Sequence, residues 1–171
     1  VMPDAENFEL LESLKDVPST VTAIYKETSG KGYVLRFSTT SMYSESPLVF
    51  TLGVTTDGKI SGVKVNEYHE SLDFKDYPLT FIGKDSALTG VTIHAGVTFS
   101  STAFKSAVEE GLKCLIDNDL IKEGVKTDDQ ILLELIPTVH GGMISAGNLR
   151  AEEIEASGNI VKGYKALSDA G

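Results

Sequence analysis

Between Val21 and Glu67 the chain keeps a two-residue rhythm broken by turn residues. Four strand-like runs are predicted, at Val21 to Glu27, Gly32 to Ser38, Leu48 to Val54 and Ile60 to Glu67. The alternation is clearest in the second and third. There Tyr33, Leu35 and Phe37, then Phe50, Leu52 and Val54, would share one face. Ser29-Gly30-Lys31-Gly32 and Thr55-Thr56-Asp57-Gly58-Lys59 carry hairpin chemistry, since Asp-Gly adopts the positive backbone angles of tight turns. This half reads as an antiparallel meander.

The rhythm changes to a helical one at both flanks. Phe8, Leu11 and Leu14, with Leu10 beside them, follow Asp4 and Glu6 and end at Pro18, which predicts a first helix. Residues 68 to 98 read as irregular, with a short apolar stretch at Leu79 to Ile82. After Ser100 and Ser101 the pattern is strongly amphipathic. Phe104, Ala107, Val108, Gly111, Leu112 and Leu115 form one stripe, and Lys105, Glu109, Glu110 and Lys113 the other face. Asp128 to Leu135 reads as a further short helix.

The tail echoes the start of the meander. Tyr164, Lys165, Ser168 and Gly171 fall in ungapped register with Tyr25, Lys26, Ser29 and Gly32. Upstream, Leu135-Ile136-Pro137-Thr138 echoes Val1-Met2-Pro3-Asp4. Two organisations accommodate this: a repeat of about 135 residues whose second copy begins here, or a C-terminal strand added to the first sheet. The expected division is a domain over 1–120 and a C-terminal extension over 121–171, the latter serving as linker and start of a second similar repeat.

Composition narrows the chemistry. The chain has 171 residues, 41% of them hydrophobic and 23% charged, with a formal net charge of −10. A surface that acidic repels phosphate backbones, so nucleic acid is not an expected partner. An anionic ligand needs a local positive feature to hold it. The single cysteine, Cys114, allows no internal disulfide, and its place beside the apolar stripe suggests packing. His69, His94 and His140 lack metal-ligand spacing, and no metal is expected. His140-Gly141-Gly142 lacks the Gly-x-Ser-x-Gly elbow of an esterase, and Glu152, Glu153 and Glu155 read as a solvated helix face.

The segment richest in chemistry is His94-Ala95-Gly96-Val97-Thr98-Phe99-Ser100-Ser101. It sets a glycine and three hydroxyls ahead of the amphipathic helix. A helix's first turn leaves backbone amides without partners, and the macrodipole adds partial positive charge there. That is a phosphate site, with Thr98, Ser100 and Ser101 as further donors and Gly96 allowing close approach. The same residues also suit a plain capped helix that binds nothing.

This segment resembles the flavinylation motif of the FMN-binding domain family. The family occurs in the G subunit of Rnf electron-transport complexes and the C subunit of the sodium-pumping NADH:quinone reductase. Its motif runs Ser-Gly-Ala-Thr, one variable residue, then two Ser/Thr ahead of a helix. Here that is Ala95-Gly96-Val97-Thr98-Phe99-Ser100-Ser101, followed by Phe104-Lys105-Ser106-Ala107-Val108. Gly53 to Val65 is similar to the family's central hairpin, and Phe81-Ile82-Gly83-Lys84 to its Phe-x-Gly-Lys segment. His69-Glu70-Ser71 resembles the start of its His-x-Glu-Thr-Pro-Gly-Leu-Gly loop. The resemblance covers about residues 1 to 118.

Several expectations follow from it. The fold is α+β, an antiparallel sheet packed with helices. FMN is bound covalently through a phosphoester on Thr98, with Gly96, Val97, Phe99, Ser100, Ser101, His69, Glu70 and Ser71 as cofactor-binding residues and Phe99, Phe81 and Tyr77 as candidates for ring packing. A flavin transferase matures the protein, and its partners are redox proteins of a membrane electron-transport chain. The resemblance places the domain outside the cytoplasmic membrane, behind an anchoring helix ahead of Val1. The chain departs from the family at Ala95, Val97 and Thr92, and Leu72-Asp73-Phe74 stands where the Pro-Gly-Leu-Gly turn would be. Thr89-Gly90-Val91-Thr92 is a rival acceptor motif without the following hydroxyl pair. A flavin-free interaction module and a non-covalent FMN-dependent reductase remain alternatives.

Overall fold

A computed structural model describes residues 1–2, 5–67, 69–70, 74–125, 149–154 and 163–168. The chain divides into two compact units, Val1–Val125 and Lys126–Gly171. The first unit holds a five-stranded antiparallel sheet in sequence order: β1 (Phe8–Leu10), β2 (Val21–Glu27), β3 (Gly32–Thr39), β4 (Leu48–Thr55) and β5 (Ile60–Glu67). A 3₁₀ turn at Tyr77–Phe81 and one long helix, α1 (Thr98–Asp117), complete it. The architecture is α+β, as the sequence implies.

Register explains why these strands form. Tyr33 lies opposite Val54, Leu35 opposite Leu52 and Phe37 opposite Phe50, so the alternating apolar sets of β3 and β4 meet on one face. Turn chemistry fixes that register between β4 and β5. Gly58 has a φ of +85°, its amide donates to the Thr55 carbonyl at 2.9 Å, and the Thr55 amide donates to the Lys59 carbonyl at 2.8 Å.

The apolar stripe of α1 lies against that face. Phe104, Val108, Leu112 and Leu115 are fully buried, together with Leu35, Phe37, Phe50 and Leu52. Phe50 stacks on Phe37 at 4.5 Å and meets Phe104 at 4.3 Å, while Phe81 and Phe74 set their edges to Phe104 at 5.1 and 5.8 Å. Cys114 is buried in the same core.

The first segment differs from its expected helix. Phe8–Leu10 is an edge strand, with Phe8 opposite Glu27 and Leu10 opposite Tyr25. The spacing of Phe8, Leu11 and Leu14 allowed a helix, but the edge of β2 offers backbone groups that a helix cannot satisfy. The chain pairs there first, and Leu11 and Leu14 then pack onto the core from an irregular segment. Beyond them, the Asn118 side chain accepts the Lys15 amide at 2.9 Å and donates to the Lys15 carbonyl at 3.1 Å, tying this segment to the end of α1.

In the second unit, β6 (Leu149–Ile154) and β7 (Gly163–Ser168) form a two-stranded antiparallel sheet of their own. The tail strand therefore pairs with β6, not with the first sheet as one of the two expected organisations had it. Glu152 stands opposite Lys165 and Glu153 opposite Tyr164, as Glu9 stands opposite Lys26 and Leu10 opposite Tyr25. The expected helix at Asp128 to Leu135 and the His140-Gly141-Gly142 turn lie outside the described residues. Of the acidic run, Glu152 and Glu153 belong to β6, where the sequence suggested a helix, and Glu155 lies outside the described residues.

Candidate functional site

A tight loop delivers the chain to the mouth of α1. The Val97 amide donates to the His94 carbonyl at 3.3 Å, and Gly96 turns the chain with a φ of +88°. Gly96 supplies backbone conformation and clearance, since a Cβ placed there would meet nothing within 4 Å. Val97 is the N-cap residue and buries its side chain, and among the described residues no side chain caps the helix's first amides. The helical bonding starts with the Ser101 amide on the Val97 carbonyl at 2.9 Å. The first turn carries no acidic residue, so the partial positive charge of the helix end is not offset from within the helix.

The three hydroxyls of this segment have different fates. Thr98, the first residue of α1, is exposed, as is Phe99 beside it. Ser101 is buried; its hydroxyl donates to the Val97 carbonyl at 2.8 Å and accepts the His94 amide at 3.2 Å, which staples the loop to the helix. Ser100 is buried too, and its hydroxyl donates to Glu70 Oε2. The serines' hydroxyls are thus engaged within the protein. What the mouth offers outward is the Thr98 hydroxyl and the amides of the first turn.

Glu70 is itself buried, on the irregular chain after β5. It accepts the Ser41 hydroxyl at 3.0 Å on each carboxylate oxygen, as well as that of Ser100. Charge-assisted bonds and the nearby helix end offset the cost of burying this carboxylate. Glu70 therefore braces the mouth from inside. His69 is exposed, and Ser71 lies outside the described residues. Ser41 is the contributor that sequence reasoning missed. It sits between β3 and β4, 59 positions before Ser100, and only the tertiary fold brings it to Glu70.

Two expected ring-packing residues belong to the core instead. Phe81 is fully buried, and Tyr77 is buried at a ring distance of 5.4 Å from it. Burial, with the charge of Glu109 second, pushes the Tyr77 hydroxyl up to about 12. Of the three aromatic candidates only Phe99 is open to a ligand. Thr92, the rival acceptor, is exposed on irregular chain ahead of the helix.

Residues 44–113 match the FMN-binding domain family. The chain carries an FMN-binding domain. The matched span runs from the approach to β4 through most of α1, and so includes the whole mouth. No curated protein matches the chain. FMN is the cofactor of this domain, and its role is flavin binding in electron transfer. The mouth suits the phosphate end of that cofactor: an exposed hydroxyl, amides without a side-chain cap, and a glycine with clear space beside it. Among the described residues, no cluster of three His, Cys, Asp or Glu side chains could hold a metal ion, and no helix is long and apolar enough to cross a membrane.

Proposed function

We propose that this FMN-binding domain is an electron carrier whose FMN is joined to Thr98 by a phosphoester. The carrying observation is the position of Thr98. It is the first residue of α1, exposed, inside the matched family span, and follows a cap residue that makes no side-chain bond to the first amides. The ester links Thr98 Oγ to the FMN phosphate with net loss of water. The amides of the first turn and the helix dipole hold the remaining phosphate charge on a protein of net charge −10. Gly96 leaves the approach clear, and Ser101 and Glu70 keep the loop and helix start in place. Bound FMN supplies reversible electron storage, so the protein itself needs only to hold, orient and cover it.

Maturation by a flavin transferase, exchange with other redox proteins of a membrane chain, an Rnf-like context and a place outside the cytoplasmic membrane complete the proposal. They rest on the likeness of Ala95 to Ser101 to the family's flavinylation motif. The test is intact mass of protein co-produced with a flavin transferase. One FMN less one water is expected on the wild-type chain and none on Thr98→Val. An adduct that persists in Thr98→Val and disappears in Thr92→Val assigns the attachment to Thr92. Flavin released on denaturation supports the non-covalent reductase, and colourless protein the flavin-free module.

A further inference from the structure

The connection between β3 and β4 is pinned to the mouth and yet presents apolar side chains to solvent. Ser41 is buried, with its hydroxyl on Glu70, the carboxylate that also receives Ser100. The Tyr43 amide donates back to Ser41 Oγ at 3.2 Å. One carboxylate thus joins this connection to the first turn of α1 through three hydrogen bonds in series. Beyond that anchor, Met42 is 85% exposed and Tyr43 58%, and on the helix side Phe99 is 51% exposed.

Single exposed apolar residues are ordinary. Two on a connection held by buried charge-assisted bonds, joined to a third beside the proposed attachment point, are not a random scatter. Met42 offers a thioether that contacts ring edges well, and Tyr43 and Phe99 offer faces for offset stacking. All three suit a flat aromatic heterocycle. A phosphate fixed on Thr98 restricts its own ring system to surfaces adjoining the mouth.

We infer that Tyr43 and Met42, held to the mouth by the Ser41–Glu70–Ser100 bonds, form with Phe99 the apolar face on which the isoalloxazine ring rests. This rests on the attachment reading above. Glu70 is a positioning residue, acting on the ring only through the connection it holds.

Flavin emission tests it, because a stacked tyrosine quenches an excited flavin by electron donation. The full chain is loaded by the transferase, and each variant is checked for one FMN by intact mass. Tyr43→Leu is expected to raise emission several-fold and lengthen its lifetime. Tyr43→Phe, which keeps the face but loses the electron donor, is expected to raise emission while leaving the visible absorption band unshifted. Glu70→Ala is expected to reproduce the Tyr43→Leu emission, and Glu70→Asp to restore part of the quenching. Leu79→Ala, at an exposed site on the 3₁₀ turn, is the control and leaves emission unchanged. Wild-type emission in loaded Tyr43→Leu overturns the inference with attachment intact. Absence of the adduct from wild-type protein overturns the attachment reading, and this inference with it.

Discussion

Gly111 of α1 sits so close to Phe37 of β3 that a β-carbon on the glycine would lie 2.5 Å from the Phe37 ring. In an exposed helix, glycine to alanine stabilises by roughly 0.5–1 kcal/mol. Here the added methyl forces apart a ring that is fully buried and stacked on Phe50. Gly111→Ala is expected to destabilise by about 1–3 kcal/mol, the usual cost of overpacking a filled core. Urea unfolding measures it as a lower midpoint.

Glu27 gives the domain an acid-sensitive joint. It is buried at the end of β2, and its carboxylate accepts the Ser29 hydroxyl at 2.7 Å and the Lys31 amide at 3.0 Å. The Ser29 bond first, then the Lys31 amide, holds its pKa below the ordinary value of 4.5. A lowered carboxylate stabilises the fold above the unfolded-state value and loses that contribution as pH falls through the folded value. Glu27→Gln is expected to lower thermal stability at pH 7, with the gap to wild type closing as the pH is taken well below 4.5.

Tyr77 is the alkaline counterpart. Its buried hydroxyl has no hydrogen-bond partner among the described residues, and its pKa is pushed up to about 12 from 10.0, by burial first and then by Glu109. Because the unfolded state ionises first, stability falls as pH rises from the unfolded value of 10.0 through about 12. Tyr77→Phe is expected to gain about 1 kcal/mol at neutral pH, by removing an unsatisfied buried group. It is also expected to reduce the fall in stability over that alkaline window, measured by denaturant titration at each pH.

Cys114 is expected to resist alkylation in the native protein. Burial first, with the charges of Asp117 and Asp16, raises its thiol above the ordinary value of 9.0. A thiol reagent at pH 8 should label it fully in urea and only slowly in buffer. Rapid native labelling would show that the end of α1 opens readily.

Local rules found most of this fold. Asp57-Gly58 and the paired alternation of Tyr33-Leu35-Phe37 with Phe50-Leu52-Val54 located the meander to within a residue at most ends. The stripe from Phe104 to Leu115 located α1. Phe8 to Leu14 misled because helical spacing there competes with an open strand edge that the local sequence does not display. At the site, Thr98 was singled out through the motif that Ala95 to Ser101 resembles, because the hydroxyls at the onset of the amphipathic pattern suit a plain capped helix equally well. The inward turn of Ser100 was not legible. It depends on Glu70 and Ser41, which belong to separate connections and have no spacing rule in common.

The two ends of α1 are both fastened, by Glu70 at the mouth and by Asn118 on the Lys15 backbone at the far side. Twenty residues of helix separate those fastenings, a span of about 30 Å. A rod clamped at both tips does not swing. Under the proposed attachment, cargo on its first residue would stay at one pole of the unit, and a donor and an acceptor would each have to come to that pole to trade electrons there.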